Sequence, residues 1–170
     1  MIHWERDLNA LLIVILSGVL LSAFGVQFIW HEQPCPLCLL QRTGMIGVAM
    51  GALLNVQFGT RPSHYALCLL SALMGGLVAL RQISLHVCPG FPEFGLPVLG
   101  LSLYTWSFIV FVCVVLAVAL LLFLYDPKES KEAPLPLNLW SQFAFSLIAF
   151  VVFANIIATG MQCGLGPCAD

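Results

Sequence analysis

Two cysteines three positions apart, Cys35 and Cys38, are the residues of this chain best suited to chemistry. A Cys-x-x-Cys pair can close a small disulfide ring, and it commonly contains a thiol of lowered pKa and an exchangeable disulfide. The spacing therefore predicts redox chemistry. The alternative is one half of a metal site, since a structural zinc site needs four ligands, and His31 and His86 are the candidates for the other two.

The residues that follow the pair favour a thiolate. The apolar run resumes at Leu39, so Cys38 is expected in the first turn of a helix, where unpaired backbone N–H groups and the helix dipole stabilise negative charge. Arg42 lies one turn further on the same face and adds a positive charge. We therefore expect Cys38 to be the stabilised thiolate and Cys35 to be the exposed sulfur that a partner attacks.

The elements that position this pair are predicted to lie in a membrane. The 170 residues are 61% hydrophobic and 8% charged, with a mean hydropathy of +1.01, whereas soluble domains carry about 25% charged residues. The formal net charge is −2 without a basic cluster, which gives no support for nucleic-acid binding. The first apolar run is longer than the hydrophobic region of a signal peptide, so we expect a retained helix.

Length and hydropathy predict an all-α membrane protein, a four-helix transmembrane bundle with a fifth transmembrane helix, in a single integral membrane domain. About 20 apolar residues cross a hydrocarbon core of about 30 Å. A polar head, residues 1–7, precedes the first span. The fourth span opens with Tyr104 and Trp106, which are expected as aromatic anchors at the membrane interface. Small residues in the second span are expected to pack closely against a neighbouring helix: Gly44, Gly47 and Gly51. The predicted spans are residues 8–30, 39–57, 64–85, 101–125 and 137–160.

The distribution of lysine and arginine predicts the orientation. One side of the membrane receives Arg6, Arg61, Lys128 and Lys131, and the other receives Arg42 and Arg81. The richer side is expected to be cytoplasmic, which places the N-terminus inside and the C-terminus outside. Cys68 and Cys113 fall within spans and are expected to behave as small hydrophobic residues. The remaining five cysteines reach the outer side, where disulfides persist: Cys35, Cys38, Cys88, Cys163 and Cys168.

A pair that takes electrons from protein thiols needs an acceptor. The sequence contains no glycine-rich dinucleotide motif after a strand and no Cys-x-x-Cys-His haem attachment motif. By elimination we expect a membrane quinone, ubiquinone or menaquinone, which enters from the lipid. Both arginines on the outer side could instead extend to the lipid head groups. Four polar residues near the outer ends of spans two and three are candidates to bind the quinone: Arg42, Arg81, Gln82 and His86.

The segment Gln33–Arg42, QPCPLCLLQR, follows a first helix and precedes a short inner turn, a third helix and a cysteine-bearing loop. In this it resembles the DsbB family of disulfide-bond-forming proteins over about residues 8–125. The resemblance implies an inner-membrane enzyme that oxidises a periplasmic thioredoxin-like protein of the DsbA type and reduces quinone. It also implies that Cys35 and Cys38 are the pair nearest the quinone, that Arg42 is the quinone-side arginine, and that Cys88 is attacked by the partner.

The chain departs from the family pattern after the third helix. The family's second outer loop carries both cysteines of a second pair, whereas here it carries only Cys88, and a fifth span leads to a tail with Cys163 and Cys168. Cys88 can pair with either tail cysteine, or the tail can close on itself. Because these are three cysteines and a disulfide takes two, one of them is free at a given moment or joined to another chain. Rival classes are a vitamin K epoxide reductase type of enzyme, a metal-binding membrane protein and a structural subunit.

Overall fold

A computed structural model shows a helical protein, as the composition predicts. It describes residues 2–30, 35–87, 98–125 and 139–163. The helices in these ranges are α1 (Ile2–Trp30), α2 (Pro36–Phe58), α3 (Pro62–Val87), α4 (Leu103–Phe123) and α5 (Leu139–Cys163). All five are long and apolar enough to cross a membrane. The prediction of an all-α membrane protein with a fifth spanning helix is confirmed.

The beginning of α2 differs from the predicted one. The helix begins at Pro36, three residues before Leu39, and Cys35 is its N-cap with extended backbone angles of φ −68° and ψ 158°. Proline suits the first helical position because its fixed φ fits a helix and its missing N–H needs no partner there. At the other end, Gly59 has a φ of +83°, which glycine adopts without strain, and the chain turns directly into α3.

The first turns of α1 also differ from the prediction. We expected residues 1–7 to form a polar head, but α1 begins at Ile2 and includes Glu5 and Arg6, each only 7% exposed. Thr60 Oγ1 donates a hydrogen bond to Glu5 Oε2 at 3.0 Å, and Arg6 Nε donates to Ser141 Oγ at 3.2 Å. These partners lie 55 and 135 residues away along the chain, so a local pattern could not reveal them.

Helix α2 lies at the centre of the packing. It packs against α1 and α3, while α4 packs mainly on α3 and α5 mainly on α1. The approach of α2 to α3 is close, since a Cβ atom at Gly51 would lie 2.5 Å from Cys68 Sγ and 2.9 Å from the carbonyl oxygen of His64. The predicted packing role of this glycine face is confirmed. Cys68 is fully buried in the core, as expected, whereas Cys113 is exposed on α4.

A buried polar network joins α1, α2 and α3 at the end opposite the cysteine pair. Asn9 Nδ2 donates to the Tyr65 hydroxyl at 3.1 Å, and Asn55 Nδ2 donates to Asn9 Oδ1 at 3.1 Å. Asn55 Oδ1 accepts from the backbone N–H of Arg61 at 3.2 Å. All three side chains are almost completely buried. The network satisfies polar groups that would otherwise be costly inside a membrane protein, and it fixes how the three helices meet.

Candidate redox site

Cys35 and Cys38 lie at the N-terminus of α2 with their sulfur atoms 2.9 Å apart. The helix itself sets this distance, because the backbone N–H of Cys38 donates to the carbonyl oxygen of Cys35 at 3.0 Å and to its Sγ at 3.3 Å. Both side chains are partly buried. A disulfide bond measures about 2.05 Å between its sulfurs, so a small movement closes the ring.

The hydrogen bonds favour Cys35 as the thiolate. The Cys38 thiol donates to it, the backbone adds N–H donors, and Gln82 Nε2 lies 3.4 Å from Cys35 Sγ. The bond from the Cys38 thiol, helped by these other donors and opposed by burial, lowers the pKa of Cys35 to about 6. The prediction that Cys38 is the stabilised thiolate is wrong. Because α2 begins at Pro36, the N-cap position belongs to Cys35.

Gln82 brings α3 to the sulfurs. Its side chain is 1% exposed, and its Nε2 also lies 3.6 Å from Cys38 Sγ. Its Oε1 accepts a hydrogen bond of 2.6 Å from Gln41 Nε2. The sequence marked Gln82 only as a polar residue in an apolar span and as a candidate for quinone binding. Its position against the cysteines, which are more than forty residues away, depends on tertiary packing.

A cavity of about 330 Å³ adjoins Cys38. Its wall is mostly apolar and comes from α1, α2 and α4, with one residue of α3 and Val98 from the turn before α4. Trp106 Nε1 donates to the carbonyl oxygen of Val98 at 2.9 Å, which holds that turn against α4. Tyr104 and Trp106, which were predicted as interfacial anchors of α4, both line the cavity. Its other lining residues include Val19, Leu20, Ala23, Val26, Gln27, Gln41, Arg42, Met45, Gln82 and Val110.

Arg42 lines the cavity together with Cys38 and is only 7% exposed, so it does not extend to the lipid head groups. Its Nη1 donates to Gln27 Oε1 at 2.9 Å, and its Nη2 donates to the carbonyl oxygen of Ala23 at 3.4 Å. Its guanidinium carbon lies 4.7 Å from the ring centroid of Phe24. These contacts with α1 hold the positive charge near the cysteines, where it interacts electrostatically with both sulfurs.

Two of the predicted quinone-binding residues, Arg81 and His86, lie outside the cavity wall. Arg81 is exposed, and neither it nor His86 lines the cavity. His86 Nδ1 donates to the carbonyl oxygen of Gln82 at 2.8 Å. The ring of His86 stacks on Tyr104, with centroids 5.0 Å apart. His86 therefore contacts the site through its neighbours.

Several predicted site residues lie outside the described residues: His31, Cys88 and Cys168. Cys163 is the last residue of α5, and the structure describes its backbone but not its side chain. Within residues 2–30, 35–87, 98–125 and 139–163, no group of three or more histidine, cysteine, aspartate or glutamate side chains could hold a metal ion.

The fold and the site are those of a membrane-embedded dithiol protein, in which a cysteine pair at a helix N-terminus adjoins an apolar cavity. A family model described as "Disulfide bond formation protein DsbB" matches residues 5–94, which is more than half of the chain. The chain belongs to the DsbB family. The matched segment covers α1 from Glu5 onward and all of α2 and α3, and therefore both cysteines together with Gln41 and Gln82.

Individual relatives support the same family. Disulfide bond formation protein B of Burkholderia thailandensis is 32% identical over 93 residues, which cover 53% of this chain and 55% of the relative. Disulfide bond formation protein B 1 of Pseudomonas fluorescens is 29% identical over 150 residues, covering 69% of this chain and 89% of the relative. The chain thus spans about half the length of the Burkholderia relative and most of the Pseudomonas one. No solved structure matches the chain.

Proposed function

We propose that this protein is a thiol:quinone oxidoreductase of the bacterial inner membrane. It oxidises the dithiol of a periplasmic thioredoxin-fold protein of the DsbA type and passes the electrons to membrane quinone. In the balanced reaction two thiols become one disulfide, and two electrons and two protons reach the quinone. The observation that carries this proposal is the position of the pair, with Cys35 stabilised as a thiolate at the end of α2 and Cys38 in the wall of an apolar cavity.

The cavity fits the head group of a quinone. A quinone supplies an acceptor for two electrons and two protons, and its ring is compatible with the apolar wall. Arg42 has five N–H donors, of which Gln27 and Ala23 accept two, so the remaining donors can bind a quinone oxygen and stabilise negative charge on it. In the described part of the chain α1 and α4 flank the cavity without extensive contact with each other. The small contact between α1 and α4 supports entry of the quinone from the lipid between these two helices.

The fifth helix supports a role for the tail cysteines. The hydrogen bond from Arg6 to Ser141 joins the beginnings of α1 and α5, so the two helices run parallel and α5 ends on the same side as the redox pair. The charge distribution predicts that this side faces the periplasm. We therefore propose that Cys163 or Cys168 pairs with Cys88 and that this second disulfide receives electrons from the soluble partner before Cys35 and Cys38 do.

Quinone-dependent turnover tests the function. Purified protein in lipid nanodiscs is mixed with a reduced thioredoxin-fold substrate and a soluble ubiquinone analogue, and quinone reduction is followed by absorbance. Cys35→Ser and Cys38→Ser should abolish turnover, because two sulfurs are needed to hand on two electrons. Cys113→Ser, at an exposed position of α4, should retain it. Sustained turnover in either of the first two variants would refute the proposal.

The second pair is tested separately. Peptide mapping of the non-reduced protein should find Cys88 linked to Cys163 or Cys168. A membrane-impermeant maleimide should label the reduced tail in intact spheroplasts. A tail that is labelled only after the membrane is permeabilised would contradict both the orientation and the second redox pair, while leaving the chemistry of Cys35 and Cys38 to the turnover assay.

A further inference from the structure

One buried carboxamide lies across both sulfurs of the redox pair. Gln82 Nε2 is 3.4 Å from Cys35 Sγ and 3.6 Å from Cys38 Sγ, and the side chain is 1% exposed. A buried amide is costly unless its donors have acceptors, and among the described residues the two sulfurs accept from it. An amino group has two hydrogens, so it can donate to either sulfur without a change of rotamer.

The neighbours of Gln82 fix the direction of its amide. Gln41 Nε2 donates to Gln82 Oε1 at 2.6 Å, which assigns the oxygen to Gln41 and leaves the amino group as the donor to the sulfurs. Gln82 Oε1 also lies 3.9 Å from Cys38 Sγ, further away than Nε2, which lies 3.6 Å from the same sulfur. The backbone carbonyl of Gln82 accepts from His86, whose ring stacks on Tyr104 of α4. Gln41 of α2 thus orients the side-chain amide, while His86 and Tyr104 pack at the backbone of α3 next to it.

We propose that Gln82 is a catalytic residue, whose amide N–H groups stabilise whichever sulfur of the pair carries negative charge. In the reduced pair that sulfur is Cys35, and during disulfide exchange it is Cys38. The inference rests on the proposed function, because it requires Cys35 and Cys38 to exchange disulfides. It goes beyond that function in assigning the stabilisation of the sulfurs to a neutral side chain of α3, separate from the charge of Arg42 at the cavity.

The exchange step shows what the amide does. A protein thiolate attacks Cys35 Sγ of the Cys35–Cys38 disulfide and forms a new bond to it. The bond between Cys35 and Cys38 breaks, and its electron pair goes to Cys38 Sγ, which leaves as a thiolate beside the cavity. Electrons balance, and no proton is required. An N–H group of Gln82 already lies 3.6 Å from this leaving sulfur, so its stabilisation needs little reorganisation.

The test uses Gln82→Met, which keeps a side chain of similar length and removes both N–H donors. Gln57→Met is the matched control, because Gln57 is exposed near the other end of α2. The full-length reduced protein in nanodiscs is alkylated with iodoacetamide over a range of pH, and mass spectrometry reports Cys35 separately from Cys38. Among the described residues, the charged and titratable groups at the pair and the adjoining cavity are Cys38 and Arg42 of α2 and Tyr104 of α4, and His86 of α3 contacts the backbone of Gln82.

We expect Gln82→Met to raise the alkylation midpoint of Cys35 from about 6 by about half a pH unit, since it removes the weakest of several donors to the anion. At pH 7 that shift makes the disulfide about 2.5-fold harder to reduce with glutathione, because less of the reduced form is held as thiolate. The rate at which glutathione opens the disulfide should fall as well. Gln57→Met should leave all three quantities unchanged.

Two further variants keep the test decisive. Gln82→Glu retains the shape, removes the donors and adds a negative charge, so it should raise the midpoint more than Gln82→Met does. Gln41→Met releases the amide oxygen and should raise the midpoint by a smaller amount. A folded Gln82→Met or Gln82→Glu protein with the wild-type midpoint and opening rate would overturn the inference.

These readouts need neither quinone nor the partner protein. A raised midpoint and a slower opening rate in a protein that never reduces quinone would overturn the proposed function and support the role of Gln82 in exchange. Wild-type values in the Gln82 variants of a protein that turns over normally would overturn the role of Gln82 alone.

Discussion

Replacing Cys38 with alanine should raise the pKa of Cys35, because the Cys38 thiol is the strongest of its hydrogen-bond donors. The pKa of Cys35 is about 6, against about 8.5 for an ordinary cysteine. The backbone N–H of Cys38 and the amide of Gln82 remain in the variant, so we expect a rise of about 1–2 units rather than a full return. Cys38→Ser keeps an O–H donor and should give a smaller rise.

The alkylation midpoint is the quantity to measure. A rise of about 1.5 units lowers the thiolate fraction at pH 7 from about 90% to about a quarter, but the more basic thiolate is also a stronger nucleophile, so the rate at that single pH changes little. Full pH profiles for the wild type, Cys38→Ser and Cys38→Ala separate the two effects, with Cys113→Ala as the control. Coincident midpoints in the three proteins would refute the assignment of Cys35 as the stabilised thiolate.

Three further changes test other parts of the structure. Arg42→Met should raise the KM for a soluble quinone about tenfold or more, since it removes a buried cation from the cavity wall, and an unchanged KM would show that the quinone binds elsewhere. Gly51→Ala should destabilise the protein by about 1–3 kcal/mol, since its Cβ would lie 2.5 Å from Cys68 Sγ. Thermal unfolding measures the loss of stability, and adding Cys68→Ala to the Gly51→Ala protein should recover part of it. Gly18→Ala is the control, because its added Cβ would meet open space and should cause no loss by crowding. Asn55→Leu should cost about 1–3 kcal/mol by leaving buried partners without a hydrogen bond, and an unchanged unfolding temperature would show that the network is not structural.

The five helices could be predicted from the sequence because each of them is a long, continuous run of apolar residues. Twenty or so apolar residues in succession leave few alternatives to a spanning helix, and the ends of the predicted spans lie within a few residues of the observed ones for α3, α4 and α5. The glycine face of α2 was also predictable, because small residues at helical spacing allow a close neighbour whichever helix supplies it.

The residues that the sequence could not place depend on partners from distant parts of the chain. Glu5 and Arg6 were predicted to belong to a polar head, yet both are buried and bond to Thr60 and Ser141. Gln82 looked like one polar residue among several at a helix end, and only the packing of α3 against α2 directs its amide to the sulfurs. Arg81, another candidate for quinone binding, does not line the cavity and is exposed. The periodicity of an apolar span does not distinguish such positions.

The shift of the α2 start from Leu39 to Pro36 has a larger consequence than its three residues indicate. It makes Cys35 the N-cap, where backbone and side-chain donors stabilise its thiolate, and it places Cys38 one turn inward, in the wall of the cavity. The two sulfurs therefore differ in what they can meet, since only Cys38 borders the space in which we propose the quinone binds. In the proposed function this difference gives the electrons a direction. They arrive at Cys35 from the aqueous side, and they leave through Cys38 towards the lipid.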